Sequence, residues 1–289
     1  MSYPKELPAP NAPAVPTAGG LDLTGYDILI ANISGGKDSQ TMLRKVVLMA
    51  SLHGVLDRVV AVHCDLGRVE WDGTLDLARA HAALYGLRFL VVARPQGDLL
   101  DHARERAARG KPAFPGFNTR WCTSDHKTSQ VRKLMTVLVD ELNATRPRTK
   151  RPVTILNILG NRAEESAKRK KQLPFAFSRS ASNQTKRHVW DWLPIHDMLE
   201  TEVWADIHAS GVPYHHAYDL GMPRLSCVFC IYSGFDAMVL GAQHNPKLAE
   251  QYNEVEVDFG FRLNEKFSMA EVIEAAKTTT VTSVANWAA

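Results

Sequence analysis

The string Ser34-Gly35-Gly36-Lys37-Asp38-Ser39 has the residue types and spacing to hold an anion. Two adjacent glycines let the backbone turn sharply and approach a ligand closely. Where such a turn opens a helix, the first N–H groups have no intrahelical partner and point at bound negative charge. Lys37 adds a point charge, and Ser34 and Ser39 add hydroxyl donors. A nucleotide phosphate chain fits this set. The glycine spacing of the Walker loop, G-x-x-x-x-G-K, is absent. The plainer alternative is an ordinary strand-to-helix turn with a serine cap. A bare Gly-Gly would not exclude it, but the full six-residue string makes it the weaker reading.

A second set lies at Gly160-Asn161-Arg162-Ala163-Glu164-Glu165-Ser166, with Arg169 behind it. Gly160 permits close approach at a strand end. Arg162 and Arg169 can grip phosphate oxygens with two parallel N–H groups, which lysine cannot do. Glu165 is suited to fix an arginine or to contact Mg²⁺. A capped, charged helix start with local salt bridges is the alternative. A third set is the cysteines Cys64, Cys122, Cys227 and Cys230, of which Cys227-Val228-Phe229-Cys230 forms a C-x-x-C pair. Such pairs serve zinc, iron–sulfur clusters or thiol redox chemistry. Cys64 reads as a core residue at a strand end.

Strands and helices alternate around these sets. Short apolar runs at 26–33, 58–64, 88–93, 152–159 and 189–193 read as strands. Helical spacing appears at 38–53, 74–85, 98–109 and 125–142, the second and third stopped by Gly86 and Gly110. This alternation predicts a parallel sheet with helices on both faces. Ligands of such sheets bind at the carboxyl ends of the strands, which is where the loop at 34–39 and the segment at 160–169 fall. From about 199 onward the chain reads as helical, with candidates at 201–209, 235–243, 247–257 and 269–277. The expected division is a Pro/Ala-rich tail at 1–20, a nucleotide-binding domain at 21–198, and a helical C-terminal subdomain at 199–289 that carries the C-x-x-C.

The chain has 289 residues and a net charge of +3, so global charge selects no partner. Local charge does more. Arg146, Arg148, Lys150 and Arg151 form one basic run, read as a solvated face. Lys168-Arg169-Lys170-Lys171 adjoins the second set, so polyanion binding is an open reading there, and Lys186-Arg187-His188 follows. No apolar stretch approaches the roughly 20 residues that span a bilayer. No secretory pattern is visible at the N-terminus, which predicts a cytoplasmic protein without a disulfide framework.

The loop at 34–39, placed after the first strand, resembles the signature of the PP-loop, or N-type ATP pyrophosphatase, superfamily. Further strings are similar to its phosphoadenylylsulfate reductase-like branch: His63-Cys64-Asp65-Leu66-Gly67 with Glu70 and Thr74, Arg120-Trp121-Cys122-Thr123 with Lys127, the set from Gly160 to Arg169, Trp192-Leu193-Pro194-Ile195, and the segment from Gly221 to Cys230. They run in order over about four-fifths of the chain. The resemblance implies an α/β fold, doubly wound around a mostly parallel five-stranded sheet of the adenine nucleotide alpha hydrolase-like kind. It implies ATP or a related adenine nucleotide held by Ser34 to Ser39, Asp65, Gly160, Arg162, Glu165 and Arg169. It implies Mg²⁺ near Asp38, with Lys37, Asp38 and Arg162 as catalytic groups. It also brings Cys122 to the same sheet edge as Cys227 and Cys230. Three thiolates there suit an iron–sulfur cluster of the [4Fe–4S] type with one open iron. A zinc site completed by His126, His215 or His216, or plain buried thiols, stay open beside it.

The chain departs from the reductases in two places. No cysteine follows Cys230, where phosphoadenylylsulfate reductases carry a nucleophile, and the adjacent cysteine pair of the iron–sulfur adenylylsulfate reductases is absent. The expectation is therefore an ATP-dependent enzyme that cleaves the α–β bond, adenylates a substrate and supports sulfur transfer, as in nucleic-acid thiolation. Reduction of phosphoadenylylsulfate is the alternative, and a nucleotide-binding module with a structural metal is the third. A sulfur donor or a nucleic acid is the expected partner, and a homodimer is left open.

Overall fold

Buried apolar runs form the strands β1 (Ile28–Asn32), β2 (Val59–Cys64), β3 (Arg88–Val92), β4 (Val153–Ile158) and β6 (Arg187–Trp192), all parallel where they pair. A sixth strand, β5 (Phe175–Phe177), pairs antiparallel with β6, so the sheet has six strands in the order β3-β2-β1-β4-β6-β5. The five-stranded expectation missed β5. Phe-Ala-Phe is too short to show a period, and Pro174 precedes it. The computed structural model describes residues 20–146 and 151–284. The proline-rich residues 1–19, and Arg148 and Lys150 of the first basic run, lie outside the described residues.

The helices are α1 (Lys37–Leu52), α2 (Thr74–Leu84), α3 (Leu99–Ala108), α4 (Trp121–Thr123), α5 (Ser129–Thr145), α6 (Ala167–Lys170), α7 (Glu200–Ser210), α8 (Phe235–His244), α9 (Pro246–Phe259) and α10 (Met269–Thr278). Sequence periodicity placed most of them within two residues. The clearest exception is the helix expected from 125, which begins at Trp121 and passes through a π-helical turn over Ser124–Thr128 before α5. Such turns interrupt the 3.6-residue period, which hides them from pattern reading.

Parallel strands are covered on both faces. One face packs Met42, Val46 and Ala50 of α1 against Leu29, Ala31 and Trp190. The other packs Val131, Met135 and Leu138 of α5 against Ile30, Val62 and Ile155. A third core joins α8, α9 and α10 to α3, and to Leu66, Trp71 and Trp121. Tyr252 lies inside it, its ring stacked on Phe114 at 5.7 Å and edge-on to Phe229 at 5.2 Å.

β1 is flanked by β2 on one side and β4 on the other. The chain runs outward from β1 to β3, then returns to continue on the opposite side. That reversal makes the carboxyl ends of β1 and β4 the switch point of the sheet, where a crevice opens. No described helix is long and apolar enough to cross a membrane.

Candidate functional site

The loop Ser34–Ser39 leaves β1 and opens α1 at the switch point. Gly35 has φ +71°, a region that side chains rarely adopt, and a Cβ there would come 3.0 Å from the Thr74 carbonyl oxygen. Ser39 Oγ accepts from the Ser34 N–H at 3.1 Å and donates to the Gly36 carbonyl at 2.8 Å, so the hydroxyl closes the turn. The first helical N–H, on Lys37, donates to the Tyr218 hydroxyl at 2.9 Å. A polar group therefore already occupies the anion direction of this helix start. The Lys37 side chain is 2% exposed. Its ammonium donates to the Pro223 carbonyl at 3.0 Å, stands 3.2 Å from Glu200, and lies 5.4 Å over the Tyr218 ring.

Across the crevice, Gly160 follows β4. A Cβ there would meet the Asp38 carbonyl oxygen at 3.0 Å and Ser39 Cα at 3.2 Å, so glycine lets the two strand ends touch. Arg162, 3% exposed, donates through Nε to Asp38 Oδ1 at 2.5 Å and through Nη1 to Glu164 at 2.5 Å. Burial opposes its charge, but Asp38 and Glu164 outweigh that and hold the guanidinium above its ordinary pKa. Glu165 is the hub behind it. It accepts from the Arg162 N–H at 2.9 Å, from Arg169, and from Arg224 at 3.0 Å. Burial, then the neighbouring Arg224, pushes Arg169 down to about 10, and Glu165 lies between the two guanidiniums.

The polar face of the crevice continues along the strand ends. Asn32 Nδ2 donates to Asn157 Oδ1 at 2.8 Å, and Asn157 Nδ2 donates to Asp191 Oδ1 at 2.7 Å. At the end of β2, Asp65 Oδ1 accepts from the Gly67 N–H at 2.7 Å and so shapes the following turn. His63, 1% exposed, contacts the Ile33 carbonyl at 3.1 Å and Glu70 at 3.3 Å, tying the end of β1 to this segment.

The thiols lie on the same side of the sheet. Glu70 and Cys227 form an antiparallel bridge, and the Val228 N–H donates to the Val69 carbonyl at 2.8 Å. Burial raises the Cys227 thiol, then Cys230 raises it further. Burial also raises Cys230, and Cys122 adds to the rise. Cys122, Cys227 and Cys230 are therefore within electrostatic reach of one another, and of Lys127. Desolvation pulls the Lys127 ammonium down, but Cys227, Cys64, Glu70 and Cys122 prevail and raise it. Cys64 is pushed up to about 11, chiefly by burial. Among the described residues no group of three or more His, Cys, Asp or Glu side chains is arranged to hold a metal ion. The trio stands as neighbouring thiols, not as an assembled ligand set.

Of the histidines considered as a fourth ligand, His215 has both ring nitrogens engaged, whereas the buried His126 Nδ1 has no hydrogen-bond partner among the described residues. His126 Nε2 lies 3.1 Å from His102 Nδ1, and His215 contacts Thr74 at 3.1 Å through Nε2 and the Ala217 N–H at 3.1 Å through Nδ1. His216 stacks on His215 with ring centroids 4.5 Å apart.

Sequence reasoning missed Tyr218, Glu200 and Arg224. Tyr218 and Lys37 are 181 positions apart, and no local spacing signals their contact. Arg224 was within reach, because it lies inside the segment from Gly221 to Cys230.

Comparisons with known proteins bear on this arrangement. The family model for the phosphoadenosine phosphosulfate reductase domain matches residues 28–233, from the first residue of β1 to just beyond the C-x-x-C. Adenosine 5'-phosphosulfate reductases of two Neisseria meningitidis strains, of serogroups B and A, are 38% identical over 73 residues, 25% of this chain. The match spans only 27% and 28% of those proteins. The phosphoadenylyl-sulfate reductase of Candida auris aligns over 70% of this chain and 82% of its own, at 15% identity and a TM-score of 0.47. The U34-tRNA thiolase of Methanococcus maripaludis aligns over 88% of this chain and 72% of its own, at 16% identity and a TM-score of 0.35. The family match takes in the loop at 34–39, the arginine set after β4 and the three thiols, so the chain belongs to the phosphoadenosine phosphosulfate reductase domain family.

Proposed function

We propose that this protein cleaves ATP between its α and β phosphates, adenylates an acceptor, and supports replacement of the activated oxygen by sulfur. The observation that carries the reading is the pairing of Arg162 with Asp38 beside the loop. A guanidinium and a carboxylate stand together there, beside the loop that this reading assigns to phosphate. The guanidinium suits charge that develops on leaving pyrophosphate. The carboxylate suits Mg²⁺, which binds through one or two carboxylates together with substrate phosphates. Asp38 and Glu200, both beside Lys37, are the residues that would hold the ion. Bound there, it would neutralise phosphate charge.

In this reading an acceptor oxygen attacks the α phosphorus of ATP. The α–β bridging bond breaks, pyrophosphate leaves, and the acceptor carries AMP. Hydrosulfide then attacks the activated carbon, a C–S bond forms, and AMP departs with the oxygen. No electrons change hands. The Lys37 ammonium and the N–H groups of the loop take the pyrophosphate charge, the Lys37 N–H once Tyr218 releases it. Arg169 and Arg224 orient the adenylated acceptor toward Cys122, Cys227 and Cys230, which handle the incoming sulfur. Exchange of labelled pyrophosphate into ATP, dependent on acceptor and abolished in Lys37→Ala, tests the first step. No exchange with any acceptor would overturn it.

A second reading is favoured by the family match and by the curated relatives: reduction of an adenylylated sulfate. The same arginines would hold the sulfate group. Sulfite release with a dithiol reductant, in the absence of ATP, separates this reading from the first.

A further inference from the structure

Charge in this chain is strongly segregated. Residues 166–190 hold seven Lys and Arg and no Asp or Glu, which leaves −4 for the remainder of a chain whose net charge is +3. Lys168, Lys170, Lys171 and Lys186 of this stretch are exposed. The fold lays the stretch along one free border of the sheet. β5 is an edge strand, and Phe175 pairs with Trp192 at the carboxyl end of β6. α6, just before β5, therefore sits at the site end of the sheet, and Lys186, just before β6, sits at the other. The six residues of β6 span about 20 Å at about 3.3 Å per residue.

The track leads into the mouth of the site. Arg169 of α6 shares Glu165 with Arg224, and Arg224 lies three residues before Cys227. An aromatic platform flanks the thiols in the chain. Phe117 is 57% exposed and packs on Tyr232 with ring centroids 5.2 Å apart. Arg120 lies 5.7 Å over the Tyr232 ring and donates to its hydroxyl at 3.3 Å. Arg120 is two residues before Cys122, and Tyr232 two after Cys230. Phe117 is exposed and Tyr232 half-buried, and a cationic track ending in such a ring pair is the combination that binds single strands, because phosphates supply attraction and unpaired bases supply stacking faces.

We propose that the border formed by residues 168–186 is a track for the phosphate backbone of a single-stranded nucleic acid, and that Phe117 and Tyr232 receive one of its unstacked bases beside the thiols. This names the acceptor of the proposed function, and it rests on that reading only for the chemistry after binding. Lys168, Lys170, Lys171 and Phe117 take no part in the nucleotide chemistry, so binding and turnover can fail separately.

The test is fluorescence anisotropy without ATP. Labelled single-stranded RNA, single-stranded DNA and duplex DNA of about 20 nucleotides are titrated across a range of KCl concentrations. Both single strands are expected to outcompete duplex, and the preferred sugar identifies the natural source. Replacing Lys168, Lys170 and Lys171 with Ala should weaken binding about tenfold or more and flatten the log–log salt slope by about 2, near 0.7 per lost phosphate contact. Phe117→Ala should weaken binding with the slope unchanged. Melting temperatures matching the wild type show that both variants fold. Tighter binding to duplex, a triple variant with unchanged affinity and slope, or binding to anionic vesicles alone would overturn the proposal. ATP turnover without nucleic-acid binding would sink this inference alone, whereas binding without turnover would sink only the nucleotide reading.

Discussion

Arg162 donates to Asp38 across 2.5 Å, joining the segment after β4 to the first turn of α1. The pair closes the switch point of the sheet with opposite charges, one of them 3% exposed. Breaking such a pair leaves a charge without its partner, which costs about 3–5 kcal/mol where burial is deep. Asp38 retains partial solvent access, so the lower end applies. Arg162→Ala is expected to lower the melting temperature and to reduce ATP turnover at least a hundredfold. Arg162→Lys should restore part of the stability but little of the turnover, because an ammonium cannot serve Asp38 and Glu164 as a fork does. Full activity in Arg162→Lys would argue against a phosphate-gripping role.

Gly160 offers a separate probe of the same contact. A methyl group there meets the backbone of Asp38 and Ser39 at 3.0 and 3.2 Å, and backbone yields less readily than a side-chain tip. Gly160→Ala should push the loop aside and weaken ATP binding about tenfold, read by calorimetry, with a smaller effect on folding.

Tyr218 caps the Lys37 N–H that a phosphate would use. Tyr218→Phe removes that bond and should cost about 1 kcal/mol of stability. The freed N–H no longer has to be surrendered, so ATP affinity should hold or rise. A large fall in affinity would show that the hydroxyl contacts the nucleotide itself.

Acid should destabilise the fold through two histidines. Burial depresses His126 and His215 to about 4 from an ordinary 6.5. The unfolded chain takes up these protons below 6.5, while the folded chain resists until about 4. Stability is therefore complete above pH 6.5 and falls as pH drops toward 4. Each site contributes on the order of 3 kcal/mol by linkage. His126→Gln should flatten the decline in denaturant midpoints between pH 6.5 and 4.

The parallel sheet and the turn at its switch point were legible because their signals are local. Apolar runs such as Ile28–Asn32, and the Gly-Gly-Lys turn after them, sit within a few residues of each other. β5 escaped because three residues carry no period. The partners of Lys37 escaped for a different reason. Its ammonium contacts Pro223 and Glu200, and its N–H contacts Tyr218, all far along the chain, and only packing of the C-terminal segment on the loop brings them in. The thiols fall between these cases. Sequence grouped Cys122 with Cys227 and Cys230 by resemblance, and the structure makes them neighbours without forming a metal-holding arrangement among the described residues.

Those thiols should be separable from the nucleotide step. Cys122→Ser, Cys227→Ser and Cys230→Ser are each expected to leave pyrophosphate release within a few-fold of the wild type while abolishing sulfur incorporation. Loss of both activities together would mean that the thiols are needed to build the nucleotide site. Iron and acid-labile sulfide in protein purified without oxygen, lost in Cys227→Ser, would identify the trio as cluster ligands.

The most direct measurement tracks the fate of ATP labelled on its α phosphorus, with Mg²⁺, hydrosulfide and a single-stranded RNA or DNA acceptor. AMP and pyrophosphate should appear in equal amounts, matched by sulfur in the acceptor, and neither product should form with Lys37→Ala. Release of ADP and orthophosphate, or tight ATP binding with no cleavage under any acceptor, would contradict the proposed function.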